Sequence, residues 1–250
     1  MIIYLAGIET YNSYFKKVPD DVYNLCTFFH YNSKKEIPEF AYHPKHILDS
    51  GAFSTFKDPI KARLFDWDGY VKKYIEFIKK TEQKLFFELD IDCVVGLEKV
   101  EYYRKMIEDS VGIAPIPVWH SNRKWEYFEM MCEEYPYVSL GTTSANADGK
   151  KIRSNPEILK KFINTAHKKN AKIHGLGFTN IPWLKELKFD SVDSTSWISG
   201  QKFGIIHKWN GREMIQYKRQ KGQRMINPEK RLYHNFNEWV KFQKYAYENL

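Results

Sequence analysis

Cysteine is scarce in this chain: Cys26, Cys93 and Cys132 are the three among 250 residues, and none lies two residues from another. So odd and scattered a set excludes a disulfide framework and a zinc knuckle, and it suits a reducing compartment. Long apolar runs are also missing, so no stretch reaches the length of a membrane span. The opening Met1-Ile2-Ile3-Tyr4-Leu5-Ala6-Gly7 has no basic residue ahead of its apolar stretch and soon meets Glu9. It reads as a first strand rather than a signal peptide, and the expectation is a cytoplasmic, soluble protein without membrane contact. No low-complexity linker or internal repeat interrupts the chain, and 43% of it is hydrophobic and 16% aromatic. These figures predict a single domain over 1–250 with a large core.

What the chain has in excess is positive charge, and the excess is local. The formal net charge is +8, and between residues 201 and 232 nine cations (Lys202, Lys208, Arg212, Lys218, Arg219, Lys221, Arg224, Lys230, Arg231) face two anions, Glu213 and Glu229. Phe203, Trp209 and Tyr217 interleave them. Cations mixed with aromatic and amide side chains suit a nucleic-acid backbone and unstacked bases, whereas the plainer reading is a solvated lysine-rich loop. Lys208, Arg212, Lys218, Arg219, Lys221 and Arg224 are the candidate nucleic-acid contacts.

Eight candidate strands run over 2–6, 24–30, 46–50, 84–92, 116–120, 138–142, 172–178 and 189–195. Helical patterns separate the later ones at 67–80, 98–108, 123–134 and 156–169, the last opened by Ser154-Asn155-Pro156 as a cap and proline start. The first two connections are short and poorly helical. Strand alternating with helix implies a parallel sheet, and eight such strands in a chain of this length predict a (β/α)8 TIM barrel. Residues 199–233 follow as a basic insertion and 234–250 as a terminal helix, with Trp239, Phe242 and Tyr245 among its apolar positions.

Several strands end in a carboxylate followed by small residues, the position where this fold gathers its chemistry. Leu48-Asp49-Ser50-Gly51-Ala52-Phe53 and Val192-Asp193-Ser194-Thr195 are the clearest cases. Period-two alternation puts Ile47 with Asp49, and Ser191 with Asp193 and Thr195. Carried through 87–92, it puts Glu88, Asp90 and Asp92 on one inward face and Phe87, Leu89 and Ile91 on the helix-facing side. Each aspartate alone could equally cap a helix or turn a loop.

Taken in order, these motifs resemble the tRNA-guanine transglycosylase family, and more closely its phage and bacterial relatives that insert 7-deazaguanines into DNA. Asp49-Ser50-Gly51-Ala52-Phe53 is similar to the family's D-S-G-G-[FY] loop, His174-Gly175-Leu176-Gly177 to its M-G-V-G turn and Val192-Asp193-Ser194 to its F-D-C nucleophile strand. Ser139-Leu140-Gly141 stands where the family has G-L-A, and Pro117-Val118-Trp119-His120 where it has a base-reading glutamine. The matches extend from about His46 to Trp197.

The resemblance implies that Asp193 attacks the sugar C1′ as nucleophile and that Asp49 acts as general acid and base. It further implies that Asp90 or Asp92 reads the Watson–Crick edge of the base, that Phe53 and His174 sandwich the ring, and that Gly141, His120 and Gly175 complete the base site. The implied reaction exchanges guanine for a 7-deazaguanine, a small-molecule cosubstrate, with no cofactor and no metal. The tRNA enzymes carry a C-x-C-x-x-C zinc site after the last strand, where this chain has the basic segment and no cysteine. DNA is therefore the preferred partner over tRNA, in the host cytoplasm if the chain is phage-encoded. The chain is also shorter than the tRNA enzymes, and Ala52 replaces a glycine. Alternatives left open are a tRNA-guanine transglycosylase, a hydrolytic N-glycosidase, a metal-dependent hydrolase using Asp49, Asp90, Asp92 and His120, and a catalytically silent nucleic-acid-binding barrel. The particular 7-deazaguanine and the oligomeric state are open as well.

Overall fold

The structure, a computed structural model, describes residues 1–11, 18–32, 37, 39–52, 59–141, 147–218 and 227–250. In chain order its elements are β1 (Ile2–Ala6), β2 (Asn24–Thr27), α1 (Phe28–Tyr31), β3 (His46–Asp49), α2 (Pro59–Leu64), α3 (Trp67–Thr81), α4 (Asp92–Val95), α5 (Leu97–Val111) and β4 (Val118–Trp119). Then come α6 (Trp125–Glu134), β5 (Tyr137–Leu140), α7 (Ala147–Arg153), α8 (Pro156–Lys168), β6 (Lys172–Gly175), α9 (Ile181–Leu184), β7 (Ser191–Ser194), α10 (Ser199–Phe203), β8 (Ile206–Trp209), β9 (Met214–Tyr217) and α11 (Pro228–Asn249). Strands β1 to β7 form one parallel sheet in the order β3-β2-β1-β7-β6-β5-β4.

A parallel sheet of this kind has to cover both faces with apolar side chains. Along β1, Ile3 and Leu5 join the large cluster under the helices, while Tyr4 and Ala6 join a smaller one with Leu25, Ile47, Phe87, Ile116 and Val118. Side chains from both ends of the strand order meet in that smaller cluster, so the sheet is curled around it. The first strand pairs with the last, Tyr4 opposite Asp193.

The outer strand β3 and the residue Ile116, just ahead of the other outer strand β4, both reach residues 85–88. Leu48 bridges Phe86, and Phe87 bridges Ile116. Leu48 N–H donates to Leu85 O at 3.0 Å, Phe87 N–H to Leu48 O at 2.9 Å and Ile116 N–H to Phe86 O at 2.8 Å. The strand expected over 84–92 thus shrinks to isolated bridges, and the described sheet has seven strands rather than eight.

An electrostatic demand explains the shortening. Glu88 is buried and accepts from Arg104 Nε at 2.6 Å, Arg123 Nη1 at 2.9 Å and Val118 N–H at 2.8 Å. Those arginines belong to α5 and the approach to α6, so Glu88 turns toward the helices and Phe87 enters the inner cluster. This is the reverse of the alternation the sequence suggested. The chain then tightens, with Ile91 N–H donating to Leu89 O, and Asp92 opens α4.

Other strands are trimmed at their C-terminal ends. β2 gives way at Thr27 to a short helix, and β6 closes at Gly175. Thr142, placed in a strand by the sequence, lies outside the described residues. The helices follow the sequence more closely: Asn155 Oδ1 caps α8 by accepting from Glu157 N–H at 3.0 Å, and Asp66 Oδ1 caps α3 by accepting from Gly69 N–H at 2.9 Å.

The basic segment is not a plain insertion, because β8 and β9 form an antiparallel hairpin within it. α11, which starts earlier than residue 234, satisfies the hairpin backbone: Asn235 Oδ1 accepts from His207 N–H at 2.9 Å and Glu238 Oε2 from Trp209 N–H at 2.7 Å. Gln243 Nε2 fastens the same helix to β1 through Ile3 O at 2.6 Å. No helix among the described residues is long and apolar enough to cross a membrane.

Candidate active site

The C-terminal ends of the strands open into a cleft of about 740 Å³. Asp49, Asp90 and Asp193 all line it, together with Gly141 and His120.

Asp49 leaves β3 with its Oδ2 accepting from Gly51 N–H at 3.1 Å. Gly51 has φ +71, and a Cβ there would lie 2.5 Å from Thr27 Cγ2 and Phe29 Cβ, so both conformation and space require glycine. Two buried phenols on α3 brace this corner. Tyr70 Oη donates to Ser50 O at 2.6 Å and Tyr74 Oη to Phe87 O at 2.9 Å. Burial, reinforced by the charges of Asp90 and Asp193 and opposed by the Gly51 N–H, pushes the Asp49 carboxyl up to about 8. It therefore carries a proton at neutral pH.

Asp193, in β7, is held differently. Its Oδ1 accepts from the N–H of Gly177, a residue with φ +60, and faces His174 Nε2 at 3.3 Å. Oδ2 makes no hydrogen bond to a described residue. Behind it, His174 Nδ1 meets Ser191 Oγ at 2.5 Å, and Ser191 Oγ meets Tyr137 Oη at 2.5 Å. Burial lifts the Tyr137 phenol to about 12, with the Ser191 hydrogen bond opposing.

Asp90 is joined to His120. The imidazole Nε2 sits 2.9 Å from Asp90 Oδ2, and its Nδ1 sits 2.7 Å from Gly141 O. Two acceptors around one ring favour a proton on each nitrogen. Burial alone would lower the His120 pKa, but the hydrogen bond and charge of Asp90 outweigh it, aided by Asp92, and the net shift is upward.

The structure separates the remaining candidates from the cleft. Asp92 is drawn away by Arg123 Nη2 at 2.9 Å and by Asn122, so Asp90 is the acid of that pair that reaches the cleft. Burial would raise Asp92, yet the Arg123 charge and hydrogen bonds hold it below the usual carboxylate range. His174 is fully buried against Phe87 and Tyr4, with ring centroids 5.1 and 6.0 Å apart, and supports Asp193 from beneath instead of stacking on a ligand. Gly175 faces Phe189 and Phe178 in the outer core, and Gly177 is the glycine at the cleft. Phe53, Arg219, Lys221 and Arg224 lie outside the described residues. Among the described residues no group of three or more His, Cys, Asp or Glu side chains is arranged to hold a metal ion.

No protein-family model and no curated protein matches this sequence.

Three cleft residues escaped the sequence. Glu9 is buried just beyond β1, where its Oε1 accepts from Thr27 N–H at 3.1 Å, and burial pushes it up to about 7 against that hydrogen bond. Its only signal was an acid soon after a strand end. Arg153 at the end of α7 donates to Gly177 O, and Lys202 on α10 also lines the cleft. By contrast, Lys208 and Arg212 belong to the hairpin, whose Trp209 packs on Phe242 and Tyr245 of α11. The next residue, Ala246, binds the Met1 amino group at the start of β1. The hairpin tip thus points toward the strand N-termini, away from the cleft.

A proton-bearing carboxyl and a second carboxylate held by its neighbours, both at one cleft, can together protonate a leaving group and attack the carbon it departs from.

Proposed function

We propose that the chain is a nucleic-acid guanine transglycosylase that exchanges guanine for a 7-deazaguanine, with DNA as the preferred substrate, and that its curled sheet is a (β/α)8 barrel closed through residues 85–88. The hydrogen bonds from Leu48 to residues 85–87 and from residues 86–88 to Ile116 support the closure.

The observation that carries the functional reading is the unlike environment of Asp49 and Asp193 in one cleft. Burial keeps a proton on Asp49, while Asp193 is held through Oδ1 with Oδ2 free of described partners. In this reaction Asp193 Oδ2 forms a bond to C1′ as the bond from C1′ to guanine N9 breaks. The departing electron pair is taken up by the purine, which Asp49 protonates. The incoming 7-deazaguanine then gives its ring N–H proton to Asp49 and displaces the ester, restoring both carboxyl groups. Asp90, steadied by His120, presents an acceptor to the donor edge of guanine.

The test is incubation with duplex DNA, single-stranded DNA and tRNA carrying labelled guanine, with and without 7-deazaguanines. Release that depends on the added base supports exchange. Release without it favours the hydrolytic N-glycosidase, and no release from any substrate overturns both.

A further inference from the structure

Charge is divided around this cleft. Glu9, Asp49 and Asp90 stand at the ends of β1, β3 and the 85–88 stretch, whereas the two cations stand by β6 and β7. Arg153 reaches the loop after β6 through Gly177 O, and Lys202 sits on α10, directly after β7. β6 and β7 are hydrogen-bonded neighbours, β7 carries Asp193, and both cations line the cleft with it. Burial holds the Arg153 guanidinium below its usual range, and the nearby Asp193 charge opposes that shift.

We propose that Arg153 and Lys202 form an anion site that takes the phosphate group of a nucleotide whose C1′ faces Asp193. The identity of the base opposite rests on the transglycosylase reading, but the anion site has its own grounds. A cleft lined by Glu9, Asp49, Asp90 and Asp193 admits an anion most readily on the side where cations stand. Lys202 forms no ion pair with a described residue and is exposed at the cleft, so its charge is available there. Arg153 is half-buried at the cleft and donates to the Gly177 carbonyl, which orients its planar guanidinium there. Loops after the last two strands of barrels of this type are frequent phosphate sites. Phosphate contacts carry no base information, but they set register, here placing C1′ at Asp193.

Binding of guanine, deoxyguanosine and its 3′- and 5′-monophosphates, with the thymidine series and inorganic phosphate alongside, tests this in the wild type, Lys202→Gln and Lys202→Arg. A deoxyguanosine monophosphate should bind about tenfold tighter than deoxyguanosine. Lys202→Gln should lose that factor while keeping nucleoside affinity, and Lys202→Arg should restore it. Arg153→Gln should act likewise but also disturbs Gly177, so Lys202 carries the test. Equal binding of nucleoside and monophosphates, with guanine still bound, overturns the anion site and leaves the base reading intact. A Lys202-dependent phosphate advantage with no preference for guanine over thymine upholds the anion site and sinks the base reading. Inorganic phosphate bound without any nucleotide advantage puts the anion away from the sugar and overturns the proposal.

Discussion

Replacing Asp49 with Asn should stabilise the fold at neutral pH while abolishing base exchange. The folded Asp49 carboxyl sits at about 8, whereas an unfolded aspartate titrates near ~4. Between those values the folded state holds a proton that the unfolded state has released. Stability therefore falls as pH rises through the window, by about 1.4 kcal/mol per pH unit for one proton. Asp49 is half-buried at the cleft, and water reaching it narrows the window without changing that slope. From pH 5 to pH 7 the wild type should lose about 3 kcal/mol relative to Asp49→Asn, which has no such proton. In a chain of this size that corresponds to roughly 5–10 °C in melting midpoint. Glu9, raised to about 7, titrates in the same direction in both proteins and largely cancels in the difference. Thermal denaturation followed by circular dichroism at pH 5, 6 and 7 measures the gap. Parallel curves for the two proteins would refute both the raised pKa and the proton donor built on it.

Asp193→Asn keeps an oxygen for the Gly177 N–H, so folding should change by less than ~1 kcal/mol while the covalent adduct disappears from denaturing gels of enzyme with substrate. Glu88→Gln strips the central charge from a buried set with Arg104 and Arg123, and urea denaturation should register a loss of about 3–5 kcal/mol. Gly141→Ala puts a Cβ 2.4 Å from His120 Cε1, displacing the ring from Asp90, and should raise KM for the base more than it lowers kcat. Neutralising Arg212, Lys218, Arg219, Lys221 and Arg224 together should flatten the slope of log K against log salt by roughly 0.7–0.9 per lost contact. An unchanged slope would reduce the segment to a solvated surface.

Strands and caps were legible because they rest on local chemistry. The apolar runs of β1 and β3, the Asn155-Pro156 start of α8 and the spacing that puts Ile47 with Asp49 all depend on near neighbours in the chain. What misled was Phe87-Glu88-Leu89-Asp90-Ile91-Asp92. Its alternation predicts one straight strand, but the phase is set by Arg104 and Arg123, residues 16 and 35 positions further along. The side chains of Arg104 and Arg123 redirected Glu88, and Asp92 turned to Arg123 with it. His174 failed as a stacking residue for a related reason, since the side chain of Ser191 on the next strand fixes its ring from below. Arg153 was invisible as a site residue because it comes from a helix, where a lone cation reads as solvated surface, and Lys202 was counted with the basic segment without being placed at the cleft.

The inner line from Tyr137 through Ser191 and His174 to Asp193 has a direction. With the imidazole donating from Nε2 to Asp193 and accepting at Nδ1, Ser191 gives its single hydroxyl hydrogen to that nitrogen. Ser191 Oγ can then receive only from Tyr137. Every dipole along the line is aligned toward the carboxylate, and none can reverse without the others. In the proposed reaction Asp193 would pass from carboxylate to ester, and the electrostatic reason for that alignment would then weaken along the whole row at once.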